Sequence, residues 1–337
     1  MATTRATKSR ATEFNVILGS VSSPRQLTSY IKQSPAGGTV TIDGVAVEYG
    51  NVRSLVSHLN AKTAIFPLPK PASFAGHIDS IKADRKRVLE RLYGLPGGSL
   101  TDSKSRTDVL IIATDGRPYF LSVKDPSTSA KLGQVSTRTK YGGASLTGGL
   151  SGLSVPIVHI PTNVDVSQTH LTSAQFEKLS PQDRRYAFLK ANYSTAWKEA
   201  VQNQTDKAII AARRFGDALA SDRRNFLAFF GEVLAGNLVN SRDFYLLLGN
   251  RLIRFADLHK KLQKSKFEVS WEEYRPRKKS SIIIWLQING VKYCITKVEP
   301  SFDGGSPKAS QTKGIIYYFQ QHLRTGNTYK QLLADLS

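Results

Sequence analysis

Cysteine is nearly missing from this chain of 337 residues: Cys294 stands alone. A single thiol excludes an internal disulfide and any zinc site built on paired cysteines, and it fits a reducing, cytoplasmic setting. Long apolar runs are missing too, none approaching the roughly 20 residues that a membrane helix needs. The opening MATTRATKSRATEF is basic with no apolar stretch behind it, which predicts a flexible arm able to touch phosphates, or equally an ordinary frayed terminus, rather than a signal peptide. Several enzyme signatures are absent: no Walker lysine loop, no H-E-x-x-H, no G-x-S-x-G and no G-x-G-x-x-G after a strand. The glycine-rich stretch 148–152 lacks the lysine that would cradle a phosphate. Acids are scarce, with 26 Asp and Glu against 47 Lys and Arg, a formal charge of +21. An excess that large attracts polyanions. Nucleic acid is the expected partner, ahead of an acidic membrane surface or a structural virion role.

A hydrophobic content of 40% is enough for a real core, and the length suits two modest domains or one core with a large elaboration. The most informative stretch is 103–141. Asp108 stands at the mouth of an apolar run, 109–113. Asp115-Gly116 supplies turn chemistry, and 118–124 returns as Pro-Tyr-Phe-Leu-Ser-Val-Lys. Alternation places Phe120, Ser122 and Lys124 on one face and Tyr119, Leu121 and Val123 on the other. A hairpin in that register brings Asp108 close to Ser122 and Lys124. A carboxylate beside an ammonium on rigid strands can hold a divalent metal and a water near a phosphate.

The order Thr107-Asp108, hairpin, Ser122-Val123-Lys124 resembles the PD-(D/E)xK nuclease superfamily, the fold of most type II restriction endonucleases, in a variant with Ser where the second acid usually stands. The lead-in Ser105-Arg106-Thr107-Asp108 and the segment Ala130-Lys131-Leu132-Gly133-Gln134 resemble further pieces of that pattern. The resemblance implies an α/β (α+β) fold, a central mixed sheet flanked by helices. It implies a Mg²⁺- or Mn²⁺-dependent endodeoxyribonuclease acting on double-stranded DNA, with a homodimer matching a palindromic site, bacterial or phage-encoded. Asp108 and the Val123 carbonyl would hold the metal, Lys124 would orient or deprotonate a water, and Ser122 would hold a metal-bound water. The missing second acid has to come from elsewhere, with Glu90 as the preferred donor and Asp84 next. The alternatives are a DNA- or RNA-binding protein without catalysis and a phage structural or packaging protein.

The rest of the chain divides into an α/β preamble with its basic arm (1–66), the nuclease-like core (67–170) and a helical and hairpin region for DNA recognition and dimerisation (171–337). In the preamble we expect a strand at 14–18, a helix after Ser23-Pro24, a hairpin at 39–49 turned by Asp43-Gly44, and a helix at 52–59. The core opens with an amphipathic helix, 77–93, on which Glu90 falls off the apolar stripe; its bland reading is a solvated acid paired with Lys86. A strand is expected at 155–160. Helices are expected at 173–178, 181–193, 194–217, 223–235, near 243–262, and at 310–323 and 328–336. A hairpin at 282–298 is turned by Asn289-Gly290 and either extends the central sheet or presents Trp271 and Tyr274 to DNA. Expected phosphate or base contacts are Lys104, Arg106, Lys131, Gln134, Arg138, Lys140, Arg275, Arg277, Lys278 and Lys279, where basic and small polar residues cluster.

Overall fold

The structure is a computed structural model that describes residues 5–101, 105–124, 140–141, 144–145, 161–274, 281–302, 308–310, 314–316, 319–324 and 329–337. The chain is a mixed α/β protein. Residues 14–18 are not a strand but part of helix α1 (Arg5–Gly19), which also takes in residues 5–14 of the expected flexible arm. Ala11, Phe14, Ile17, Leu18 and Val21 recur at helical spacing and are all buried, a stripe that a five-residue window cuts short. Helix α2 (Pro24–Gln33) starts on proline as expected. Strands β1 (Gly38–Ile42) and β2 (Val45–Tyr49) form the expected hairpin, with Asp43 and Gly44 both at positive φ. The expected helix at 52–59 reduces to one 3₁₀ turn, Val56–His58. Eight residues rich in Ser and β-branched side chains are too few to nucleate more.

Strand β3 (Ala72–His77) was not expected, and in place of a helix over 77–93 a 3₁₀ turn at Ile78–Ser80 precedes helix α3, which runs only over Ala83–Leu92. Strands β4 (Val109–Ala113) and β5 (Pro118–Lys124) form the expected hairpin. The expected strand at 155–160 lies outside the described residues. Two short strands follow, β6 (Lys140–Tyr141) and β7 (Ala144–Ser145). Helices α4 (Ser173–Glu177), α5 (Pro181–Asn192), α6 (Ser194–Ser221) and α7 (Arg223–Ala235) come next. The helix expected near 243–262 is instead β8 (Phe244–Leu248), β9 (Arg251–Arg254) and helix α8 (Phe255–Lys264). Strands β10 (Phe267–Tyr274), β11 (Ser281–Ile288), β12 (Val291–Phe302), β13 (Lys308–Ser310), β14 (Gly314–Ile316) and β15 (Phe319–Arg324) lead to helix α9 (Tyr329–Leu336). The last three strands replace the helix expected at 310–323. Among the described residues no helix is long and apolar enough to cross a membrane.

The chain forms two compact units, Met1–Gly133 with Leu227–Lys266 and Asn327–Ser337, and Gln134–Phe226 with Phe267–Gly326. The first contains a seven-stranded mixed sheet in the order β1-β2-β3-β4-β5-β8-β9. The β2–β3 and β5–β8 pairs are parallel and the others antiparallel. On one face Val109, Ile111, Tyr119, Leu121, Val123, Tyr245 and Leu247 pack with Phe14, Ile17, Leu27 and Ile31 of the N-terminal helices. The alternate residues Leu110, Phe120, Ser122, Phe244 and Leu246 are buried as well; there Phe244 meets Phe255 of α8 edge to face at 6.0 Å. Burial of both faces is why β4 and β8 read as unbroken apolar runs rather than as alternation.

The second unit has its own antiparallel sheet, β10-β11-β12-β15. The 282–298 hairpin belongs to this sheet and does not extend the first one. Its turn is as expected, with Asn289 and Gly290 at φ 48° and 81°, the pair a type I′ turn requires. Trp271 points to the α6 side: its Nε1 donates to Asp217 Oδ1 at 2.9 Å. Its ring lies so close to Gly216 that a Cβ there would fall 2.7 Å from it. The expectation that Trp271 is presented to DNA is therefore corrected.

Candidate functional site

Asp108 is held by its backbone before its side chain does anything. Its N–H donates to the Leu121 carbonyl at 2.8 Å, and its carbonyl accepts from Ile78 N–H at 2.9 Å. The ladder pairs Leu121 with Val109, so two consecutive residues face one, the arrangement of a β-bulge, which re-aims a side chain. The approach is equally constrained. Ser105 Oγ donates to the Thr101 carbonyl at 2.9 Å and accepts from Thr107 N–H at 3.2 Å. Between them Arg106 sits at φ 54°, a left-handed conformation that costs a non-glycine residue about 1 kcal/mol. Outside the two turn pairs Asp43-Gly44 and Asn289-Gly290, it is the one non-glycine residue at positive φ among those described.

The Asp108 carboxylate reaches the edge of β5. Oδ2 accepts from Val123 N–H at 2.6 Å and from Ser122 Oγ at 3.4 Å. In an extended strand a residue's N–H and C=O leave on the same edge, so the Val123 carbonyl projects toward the side where Asp108 lies. Ser122 is fully buried. Lys124, two residues on and on the same strand face, is half-buried at the end of β5, and its carbonyl accepts from Gly249 N–H at 3.3 Å. Parallel pairing with β8 runs through Ser122–Leu246 to Lys124–Leu248. The structure thus brings Asp108, Ser122 and Val123 into contact at the strand end that carries Lys124.

Glu90 is not the solvated acid that its place off the apolar stripe suggests. It is 4% exposed, and its two oxygens accept from Gly98 N–H at 2.9 Å and Leu100 N–H at 2.7 Å. It is not the solvated partner of Lys86; it ties down the loop that leads toward Asp108. Asp84 is on the surface beside Arg87 at 3.6 Å. Two other acids of this unit, Glu48 buried and Glu13 half-buried, escaped notice in the sequence. Glu48 pairs with Arg85 Nε at 3.1 Å. Glu13 meets His77 Nε2 at 3.0 Å, and the His77 ring stacks on Phe14 at 5.7 Å. The signal for Glu13 was the α1 stripe, which puts position 13 next to the buried Phe14. Among the described residues no three His, Cys, Asp or Glu gather as a metal-holding group. At the end of the hairpin the Asp108 carboxylate adjoins the strand edge that carries the Val123 carbonyl. One carboxylate with a carbonyl and waters is a set that Mg²⁺ accepts, since it keeps several waters and binds through one or two carboxylates.

Of the expected nucleic-acid contacts, Arg106 lies two residues before Asp108 and is half-buried. Lys104, Lys131, Gln134, Arg138, Arg275, Arg277, Lys278 and Lys279 lie outside the described residues, and Lys140 is described only as part of β6. No protein-family model, curated protein or solved structure matches the chain.

Proposed function

We propose that the protein is a metal-dependent endodeoxyribonuclease that hydrolyses phosphodiester bonds of duplex DNA. The observation that carries this reading is the Asp108 carboxylate resting on Ser122 and Val123 N–H at the end of a hairpin whose second strand finishes in Lys124. The fold is compatible with this reading at a coarser level: β3-β4-β5 run antiparallel and β8 lies parallel to β5 within a central mixed sheet. In this reading Asp108 and the Val123 carbonyl hold Mg²⁺, which when bound polarises the phosphate and acidifies a coordinated water.

The chain's own groups do the rest. Ser122 Oγ and Val123 N–H fix the direction of the carboxylate, so it loses little entropy on binding a ligand. The Lys124 ammonium orients the attacking water and stabilises negative charge as it builds on the phosphate oxygens. Water adds to phosphorus, the strand oxygen leaves with a proton, and the basic residues hold the polyanion in register. We give Glu90 a supporting role, shaping the loop before Asp108.

A second reading, a nucleic-acid-binding protein without turnover, draws on the serine at position 122 and on the lack of a three-acid cluster among the described residues. The test is supercoiled and linear duplex DNA with and without Mg²⁺, comparing the wild type with Asp108→Ala and Lys124→Ala. Loss of metal-dependent product in both variants supports the nuclease; wild-type product in both overturns it.

A further inference from the structure

Strand alternation divides the β10-β11-β12 sheet into two faces. Ile282, Ile284, Leu286, Tyr293 and Val298 are buried on one of them, the face that also carries Trp271. The opposite face carries Ser270, Tyr274, Trp285, Lys292, Cys294 and Lys297. Here Trp285 is flanked across the strands by two small residues, Ser270 and Cys294, and Tyr274 lies opposite Ser281. Short neighbours leave an aromatic ring lying low over a sheet. Tyr274 is 45% exposed, and Lys292 and Gln287 are exposed beside Trp285. Each ring has an ammonium over it: Lys292 Nζ is 4.6 Å from the Trp285 centroid, and Lys297 Nζ is 4.4 Å from that of Tyr274.

We propose that this sheet face binds single-stranded nucleic acid, with bases stacking on Trp285 and Tyr274 while Lys292 and Lys297 move from the rings to the phosphates. On this face Tyr274 and Lys292 are exposed and Trp285 and Lys297 half-buried, and rings beside cations meet both requirements of such a site, a stacking surface and charge that follows the backbone. Glu268 and Glu272 of this face are on the edge strand β10, while Lys292 and Lys297 stand on β12. The charge of +21 favours a polyanion over a protein partner. From Trp285 to Tyr274 is about 14 Å by strand geometry, four residues along and one strand across, a span for several nucleotides. A duplex offers no bases to such a surface, so this site is distinct from the Asp108 centre and does not depend on cleavage there.

The experiment is fluorescence anisotropy of the full chain with a labelled 12-mer of oligothymidylate, in EDTA so that no cleavage occurs, with a duplex of the same length alongside. Trp285→Ala and Tyr274→Ala should each weaken single-strand binding by about 5- to 100-fold. They should change duplex binding by much less, and Trp285→Phe should restore most of the loss. Tyr274, at the surface, serves if Trp285→Ala unfolds. Asp108→Ala should bind the 12-mer as the wild type does, which separates this site from the catalytic reading. Unchanged single-strand affinity in folded Trp285→Ala and Tyr274→Ala overturns the proposal. So does a wild type that binds no single strand, including one whose face instead holds a second copy of the chain, read as a dimer that Trp285→Ala splits.

Discussion

Glu90 shows how much one side chain can organise. A carboxylate buried at 4% exposure survives because two backbone N–H groups, those of Gly98 and Leu100, point at it. Glu90→Ala leaves both donors without an acceptor, and charged hydrogen bonds of this kind are worth roughly 1.5–3 kcal/mol each. Urea unfolding should show a loss of about 3–6 kcal/mol for Glu90→Ala and a smaller one for Glu90→Gln, which keeps one oxygen; a loss within a few tenths would contradict the anchoring role. The role was not legible in the sequence, because a helical wheel records which way Glu90 leaves α3 but not that residues 94–100 fold back over it. The nearness of Asp108 to Ser122 was legible, since an Asp-Gly turn and alternation fix which residues meet across a hairpin. The bulge at Asp108–Val109 and the bond to Val123 N–H were not, because a bulge has no residue pattern here and depends on how 105–107 are braced.

At the scale of elements, the hairpins declared themselves and the buried strands did not. Asp43-Gly44, Asp115-Gly116 and Asn289-Gly290 each mark a real turn. By contrast Phe244–Leu248 is a short apolar run buried on both faces, which periodicity cannot tell from a turn of buried helix. The Gly249-Asn250 pair after it was the overlooked clue to a strand. The stretch 315–319, Ile-Ile-Tyr-Tyr-Phe, favours strand by its β-branched and aromatic content, and the expected helix there gave way. Element packing also has a titration consequence. His259 of α8 stacks on Phe255 at 5.5 Å with Nε2 3.4 Å from the Leu227 carbonyl. Burial pushes its pKa below the usual histidine value, against a weaker upward effect of that carbonyl. The unfolded chain therefore binds the proton more readily than the native one. The contribution is fully present above the unfolded value, near 6.5, and fades as pH falls below it. Denaturant unfolding at pH 7.5 and 5.5 should show a larger loss in the wild type than in His259→Gln; equal losses would contradict the assignment.

For the whole molecule the governing quantity is charge. With 47 basic residues against 26 acidic ones, association with duplex DNA should be driven by counterion release. Affinity should fall on the order of 100-fold between 50 and 200 mM salt, the loss expected for about four phosphate contacts. A flat salt response, measured by anisotropy, would remove nucleic acid as the partner. Charge alone does not separate a nuclease from a passive binder; the proposed nuclease reading rests on the pairing of Asp108 with the strand that ends in Lys124. The direct measurement is nicking of supercoiled plasmid in Mg²⁺ by the wild type, Asp108→Ala and Lys124→Ala, with each variant shown to be folded and to bind DNA. The account predicts Mg²⁺-dependent nicking by the wild type, reduced about 100-fold or more in each variant. Nicking at the wild-type rate by folded Asp108→Ala, or none by the wild type across Mg²⁺ and Mn²⁺, would contradict it.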